Sequence, residues 1–232
     1  MPGFFLHLAG PMQSWADTGF GQLRGTGLFP SRAGVLGIVA AAHGIPRNDP
    51  ALVALHSAFR VHVATAQPGH VLRDFHTVET VEGKAPTLTQ REYHHDAHFV
   101  ALVESDDAEA VERAADALRR PVYPPFLGRR SCPPALPLLP LEGNASLVGL
   151  AQAALGARGE FPVLGERRSQ RMGLRKAAVP LYLDGHFDTA PAPFSAAPVS
   201  YGTRRDRLSA PRRAYVDRPY TRVLVSSSDV PE

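Results

Sequence analysis

Thiols are almost absent from this sequence of 232 residues, because Cys132 is its only cysteine. A single cysteine excludes an internal disulfide and any metal site built from several thiolates. The first residues also lack the basic segment with which a secretion signal begins. The sequence therefore predicts a protein of a reducing compartment, and we expect it in the cytoplasm.

Long apolar runs and nucleotide-binding loops are missing as well. The longest weakly polar stretch, Ala33–Ala42, is far shorter than the roughly 20 residues that cross a bilayer. The glycine-rich stretch Gly19–Gly37 contains no lysine, which the phosphate loop of an NTPase requires. The dinucleotide fingerprint is also absent. We therefore expect no membrane partner and no cofactor.

Lysine is scarce, since Lys84 and Lys176 are the only two and arginine supplies the rest of the 25 basic residues. The arginine fork binds phosphate through two hydrogen bonds and stacks on bases, although a GC-rich genome would produce the same bias. Residues 121–232 hold 15 basic and 9 acidic side chains, whereas residues 1–120 hold 10 and 13. This asymmetry indicates an anionic partner for the later half.

Alternating elements predict an α+β fold with a ferredoxin-like, or RNA-recognition-motif-like, domain. The predicted elements are a strand at Phe4–Leu8, a helix capped by Ser31, a helix at Asp49–Ser57, strands at Arg60–Ala66 and Ala97–Glu104, a helix at Asp107–Arg120, and a possible closing strand at Ala135–Leu141. Two glycines inside the first helix, Gly34 and Gly37, each cost about 1 kcal/mol relative to alanine. We therefore expect that helix to approach the sheet closely.

The chain turns polar between about 67 and 97, where this fold has its central hairpin, and we predict a protruding β-hairpin there. From residue 144 onward it is rich in arginine and proline, with strand-like pieces at Val179–Leu183 and Thr221–Val225. We predict a first domain over residues 1–143 and a smaller, mostly β domain over residues 144–232.

Two clusters suggest metal or acid–base chemistry, and each has a plain structural alternative. His94, Asp96 and His98 would share one face of a strand and could bind a metal, although an exposed hairpin base explains them equally well. His76, Tyr93 and His94 could act as base and acid in a metal-independent ribonuclease. Polar side chains at an RNA-contacting surface explain them better, so we predict neither a metal site nor a catalytic site.

Two further features fit RNA binding. Arg129 and Arg130 stand between Gly128 and Pro133, so that two guanidinium groups share a short, constrained turn. Such a turn suits a phosphate clamp, although it is also typical of a solvated basic loop. Trp15, the only tryptophan, could stack on a base or complete a core.

Five strings in one order carry a specific resemblance. They are Leu8–Trp15, Phe29–Gly37, Arg73–Val78, Arg91–Tyr93 and Phe126–Pro133. In order, spacing and content they resemble the type I-E branch of CRISPR-associated protein family five, within the RAMP superfamily. The likeness is dense over residues 4–135 and thins to Arg205–Asp206 and Pro211–Arg213 beyond them.

This resemblance implies a subunit of the Cascade surveillance complex, which serves antiviral defence. Members of this branch have a ferredoxin-like domain whose long central hairpin projects as a thumb, and they hold the 5′ handle of the crRNA. They contact the backbone subunit and the large subunit, which inspects target DNA. A separate endoribonuclease cuts the precursor in type I-E systems, so the resemblance implies a subunit without catalytic activity.

On the motif positions we predict a set of RNA-facing residues. They are Gln13, Ser14, Trp15, Arg24, Ser31, Arg32, His76, Arg91, Tyr93, Arg129 and Arg130.

Two other functions stay open. Type I-C relatives process the precursor crRNA themselves with a set of Tyr, Lys and His, and here Lys84 is the only lysine close in sequence to Tyr93. An endoribonuclease is therefore the alternative. An RNA-recognition-motif protein of another pathway is the third reading.

Overall fold

The computed structural model describes residues 1–15, 22–79, 86–141, 145–157, 178–207 and 215–230, with only the backbone at 205–207 and 215–216. The elements are β1 Gly3–Ala9, β2 Met12–Gln13, β3 Leu23–Arg24, α1 Arg32–Ala42, α2 Ala51–Ala58, β4 Arg60–Gln67, β5 His70–Val78, β6 Thr87–His95, β7 His98–Glu104, α3 Ala108–Arg119, α4 Leu147–Gly156, β8 Val179–Asp184, β9 Val199–Arg207 and β10 Tyr215–Val225. Among the helices in these ranges, none is long and apolar enough to cross a bilayer.

The main sheet is antiparallel and has six strands in the order β1-β7-β4-β8-β10-β9. Successive side chains of a strand point to opposite faces of the sheet, so β1 contributes side chains to two hydrophobic cores. Phe4 and Leu6 pack with α1 and α3 on one face, whereas Phe5 packs with α4 on the other. The sheet is therefore the middle layer of three, and the predicted α+β class is confirmed.

The predicted closing strand at 135–141 does not form. The segment bonds to β1 only near its two ends: the Ala135 N–H donates to the Ala9 carbonyl at 2.9 Å, and Leu141 forms two hydrogen bonds of 3.0 Å with the backbone of Phe5. Pro137 and Pro140 lack the backbone N–H that a ladder needs, so the segment runs beside the edge of β1 without becoming a strand.

The segments on either side of the predicted domain boundary, at 143–144, contribute strands to the same sheet. Val63 of β4 pairs with Tyr182 of β8, which joins strands from both sides of the boundary. Whether the two parts are separate domains stays a prediction, but they share a continuous hydrogen-bonded sheet.

Helix α1 begins as predicted. The Ser31 side chain accepts a hydrogen bond from the Gly34 backbone N–H at 3.1 Å and so caps the helix. A Cβ on Gly34 would lie 3.0 Å from the Trp15 ring, but one on Gly37 would have no atom within 4 Å. Close packing therefore explains Gly34, against Trp15 rather than a strand, and the prediction was wrong for Gly37.

A second, smaller sheet holds the polar part of the chain. β5 and β6 pair antiparallel over nine residues each, from His70 opposite His95 to Val78 opposite Thr87. The short strands β2 and β3 pair with β6 on its other side. The polar segment at 67–97 is therefore a β-hairpin in the residues described, and residues 80–85, including Lys84, lie outside them.

Candidate nucleic-acid interface

The turn at 127–132 is held firmly by backbone hydrogen bonds. Leu127 donates to Cys132 and Cys132 donates to Arg129, each at 2.8 Å, while the Leu127 carbonyl accepts from Ser14 at 3.0 Å. Gly128 has a φ of +84°, a conformation that suits glycine. The buried strand end at Ser14 thus fixes the turn that carries Arg129 and Arg130.

The two arginines of this turn have different surroundings. Arg129 places its guanidinium carbon 4.7 Å from the centre of the Tyr93 ring and donates to the Arg24 carbonyl at 3.0 Å. Stacking on an aromatic ring and a backbone bond orient this group. Arg130 is exposed and makes no hydrogen bond or ion pair with any residue described. Its guanidinium is therefore free to contact a ligand.

Several predicted residues meet on one face of the small sheet. The register places Arg24 beside Arg91, and Arg91 opposite Asp74. Because residues two apart on a strand share a face, Tyr93 and His76 lie on this side too. We call this surface the arginine face; its members are Arg24, His76, Arg91, Tyr93 and Arg129.

The charges of the arginine face are only partly neutralised. His76 lies 3.2 Å from the Asp74 carboxylate, and both side chains are about half exposed. The Arg91 Nε is buried and has no hydrogen-bond partner. Arg24 is exposed. The arrangement presents guanidinium groups, one of which covers the buried Tyr93 ring. Guanidinium groups bind the phosphates of single-stranded RNA and stack on its bases.

Four of the predicted RNA-facing residues are buried instead. Tyr93 is 5% exposed, and Gln13, Ser14 and Trp15 are at most 1% exposed. The Gln13 amide donates to the carbonyls of Leu8 and Ala97 at 2.9 and 2.7 Å, and its oxygen accepts from the Trp15 indole at 3.0 Å. Ser14 donates to the Glu92 carbonyl at 3.0 Å. These side chains bond to protein groups and hold the small sheet against the core.

Arg32 is also enclosed by protein. Its side chain is 8% exposed, and its Nε lies 3.2 Å from the Asp184 carboxylate of β8. Its terminal nitrogen donates to the carbonyls of His56 and Phe59. Arg32 therefore joins α1, α2 and the later strands, and Ser31 caps α1 beside it.

The histidines near the hairpin base do not form a metal site. His94 lies near the end of β6, Asp96 lies in the turn with a φ of +54°, and His98 is the first residue of β7. Within the described ranges no three potential ligands come together. His94 donates to the Gly27 carbonyl at 2.6 Å, and burial lowers its pKa.

The sequence did not single out Arg204. Its side chain extends from β9 to the loop that precedes α1. Its guanidinium stacks 4.6 Å from the Phe29 ring centre and donates to the carbonyls of Phe29 and Trp15. A Cβ on Gly27 would lie 2.3 Å from this guanidinium, so any other residue at position 27 would displace the Arg204 side chain from this place. The arginine-rich composition of the later half was the only signal, and it does not say which residue turns inward.

Comparison with known proteins identifies the family. Residues 4–205 match the model of a family described as "CRISPR-associated protein (Cas_Cas5)". The chain belongs to this family. A curated relative, "CRISPR system Cascade subunit CasD" of Escherichia coli (strain K12), is 38% identical over 151 residues, covering 57% of this chain and 67% of the relative.

Two solved structures resemble this family member over nearly its whole length. A chain of a "CRISPR RNA-guided surveillance complex" superposes with a TM-score of 0.66 and 28% identity, covering 99% of this chain and 93% of that one. A "Cas protein" crystal structure superposes with a TM-score of 0.65 at 24% identity, covering 100% and 98%, and it shows the fold alone.

Proposed function

We propose that this protein is a non-catalytic subunit of a type I-E Cascade complex, and that it binds and caps the 5′ handle of the crRNA. The arginine face carries this proposal, because it sets guanidinium groups along one sheet, one of them oriented by the Tyr93 ring, beside the exposed Arg130. A single-stranded handle offers phosphates to guanidinium forks and unstacked bases to their flat faces. The curated relative, CasD, is named as a Cascade subunit, which supports membership of that complex.

The fold supports the finer architecture that the resemblance implies. Strands β1, β7 and β4 lie side by side, with α1 and α3 packed on one face, in the connectivity of a ferredoxin-like half sheet. The β5–β6 hairpin is inserted between β4 and β7 and belongs to the separate small sheet. We propose that this hairpin is the thumb.

The proposed partners follow from the same role. They are the crRNA 5′ handle, the Cascade backbone subunit, the Cascade large subunit and, indirectly, target DNA. Exposed apolar side chains on the hairpin support a protein contact there, since Val71 and Phe75 are each 61% exposed.

The positions of Tyr93 and His94 favour a binding function over the alternative function, that of an endoribonuclease. They are neighbours on β6 and so face opposite sides of the strand. Both are buried, Tyr93 under Arg129 and His94 against Phe99. In this arrangement the two side chains cannot act together on a bound RNA as general acid and general base.

Removal of Arg130 is expected to weaken handle binding through charge. We expect Arg130→Ala to lower the slope of log affinity against log salt by about 0.7, the contribution of one phosphate neutralised on a single strand. Titration of labelled handle RNA at several salt concentrations measures this slope. The control is Arg47→Ala, an exposed arginine after α1, and equal slopes for Arg130→Ala and wild type would exclude a phosphate contact by Arg130.

Cleavage and binding are separated by one experiment without divalent metal. Purified protein is incubated with 5′-labelled repeat RNA and with processed crRNA that carries its handle, and intact and bound RNA are measured on the same gels. We expect binding to the handle with the repeat left intact. Defined cleavage of the repeat would overturn the non-catalytic assignment, and Tyr93, His94 and Lys84 would then be mutated first.

A further inference from the structure

A carboxylate, that of Asp74 on β5, lies among the guanidinium groups of the arginine face. The register places Asp74 directly opposite Arg91, and side chains directly opposite each other on paired strands point to the same face of the sheet. The Asp74 side chain is 44% exposed, so a ligand on this face would meet it. A carboxylate repels phosphate, and Asp74 therefore does not serve phosphate binding.

Asp74 and Arg91 do not neutralise each other. Side chains directly opposite on paired strands have Cβ atoms about 5 Å apart, within reach of an ion pair. In the part of the chain that the structure describes, Asp74 instead pairs with His76, whose Nδ1 donates to its Oδ2 at 3.2 Å. Arg91 has no ion pair with a described residue, and only its Nε is buried. An acceptor oxygen, Asp74 Oδ1, thus stands near a free guanidinium fork.

The chemistry of RNA limits what this carboxylate can bind. An ionised carboxylate only accepts hydrogen bonds. The donors of a single strand are the N–H groups of its bases and the 2′-hydroxyls of its riboses. A base edge carries N–H donors beside acceptors, and it therefore matches a carboxylate and a guanidinium that face it together. A ribose hydroxyl is a single group and would engage only one of the two.

An apolar side chain adjoins this charged pair. Leu72 lies two residues before Asp74 on β5, hence on the same face of the sheet, and it is 46% exposed. It stands opposite Tyr93, whose ring is covered by the Arg129 guanidinium. A base that rests its flat side against Leu72 would turn an edge toward Asp74. The bases of a single strand are unstacked and so are free to bind in this way.

We propose that Asp74 and Arg91 bind the edge of one unstacked base of the crRNA handle, and that Asp74 is a residue that determines sequence specificity. This inference rests on the proposed function. Phosphate contacts position a nucleic acid, whereas contacts to base edges specify its sequence. The other arginines of the face supply affinity, and Asp74 supplies discrimination between bases.

The test compares wild type with Asp74→Asn on a set of synthetic handle RNAs, each with one base replaced. Asparagine keeps the shape of the side chain but replaces one acceptor oxygen by a donor. We expect wild type to lose about tenfold in affinity when the contacted base is replaced, the effect of one good base contact. Asp74→Asn should lose this discrimination and respond like wild type to replacements at the other positions.

Glu92→Gln is the matched control, because it also turns a carboxylate of this hairpin into an amide. Glu92 lies next to Arg91 on β6 and so points to the opposite face, where its carboxylate pairs with Arg73 at 2.8 Å. We expect this variant to keep the discrimination of wild type. Thermal melts establish that both variants fold.

The possible outcomes are distinct. Stronger binding of every RNA by Asp74→Asn, to the same extent, would show that the carboxylate acts only as a repulsive charge and would overturn the inference. RNAs with one 2′-deoxyribose form a second set. A response of wild type to these alone, lost in Asp74→Asn, would assign Asp74 to a ribose and overturn the base contact. Failure of wild type to bind any handle RNA would refute the proposed function, whereas firm binding with unchanged discrimination in Asp74→Asn would refute this inference alone.

Discussion

Alanine at position 128 is expected to destabilise the protein by about 3 kcal/mol or more. Gly128 has a φ of +84°, which costs an L-residue roughly 1–2 kcal/mol. A Cβ there would also lie 1.8 Å from the Ser14 carbonyl oxygen, so backbone must move on one side. Overpacking of this kind costs about 1–3 kcal/mol more. Urea denaturation of Gly128→Ala measures the loss.

The matched control is the same substitution at Gly37. This glycine lies inside α1, and an added Cβ would meet no atom within 4 Å. Alanine gains about 0.5–1 kcal/mol over glycine in a helix, so Gly37→Ala is expected to be slightly stabilising. A Gly128→Ala variant as stable as wild type would show that the turn tolerates a side chain, and that Ser14 does not fix it.

The Gly128 variant also connects stability with the proposed RNA contact. Movement of the turn would shift Arg129 off Tyr93 and displace Arg130. Where Gly128→Ala still folds, we expect its handle RNA binding to be weaker than that of Gly37→Ala. The turn therefore links a buried strand end to an exposed guanidinium.

Local rules predicted the elements of the fold well. The cap at Ser31 followed from a hydroxyl ahead of an apolar run, and the strand at 60–66 followed from β-branched alternation. The closing strand at 135–141 failed because apolar residues alone suggested a strand, whereas Pro137 and Pro140 remove the donors it needs.

The candidate site was harder to predict than the fold because burial is a tertiary property. Motif membership could not separate Arg130, which is exposed, from Gln13, which bonds to two backbone carbonyls in the core. The buried position of Arg204 is set by the carbonyls of Trp15 and Phe29, which lie 189 and 175 positions earlier in the chain. Long-range contacts of this kind leave no periodic signal in a sequence.

One buried histidine predicts a strong dependence of stability on pH. His98 is 2% exposed, and its Nε2 lies 3.0 Å from Nδ1 of His7. Burial, with a smaller effect of the neighbouring His7, lowers the pKa of His98 from 6.5 to about 3. In the neutral pair one ring donates and the other accepts, whereas two protonated rings would place like charges in contact.

The sign of the effect follows from proton uptake. Below pH 6.5 His98 of the unfolded chain binds a proton, whereas His98 of the folded protein binds one only near pH 3. Acidification therefore favours unfolding, and we expect a loss of about 3 kcal/mol at pH 4.5 relative to pH 7. Denaturation midpoints at these two pH values measure it. His98→Gln is expected to remove most of this loss, and an undiminished loss in this variant would place the acid sensitivity elsewhere.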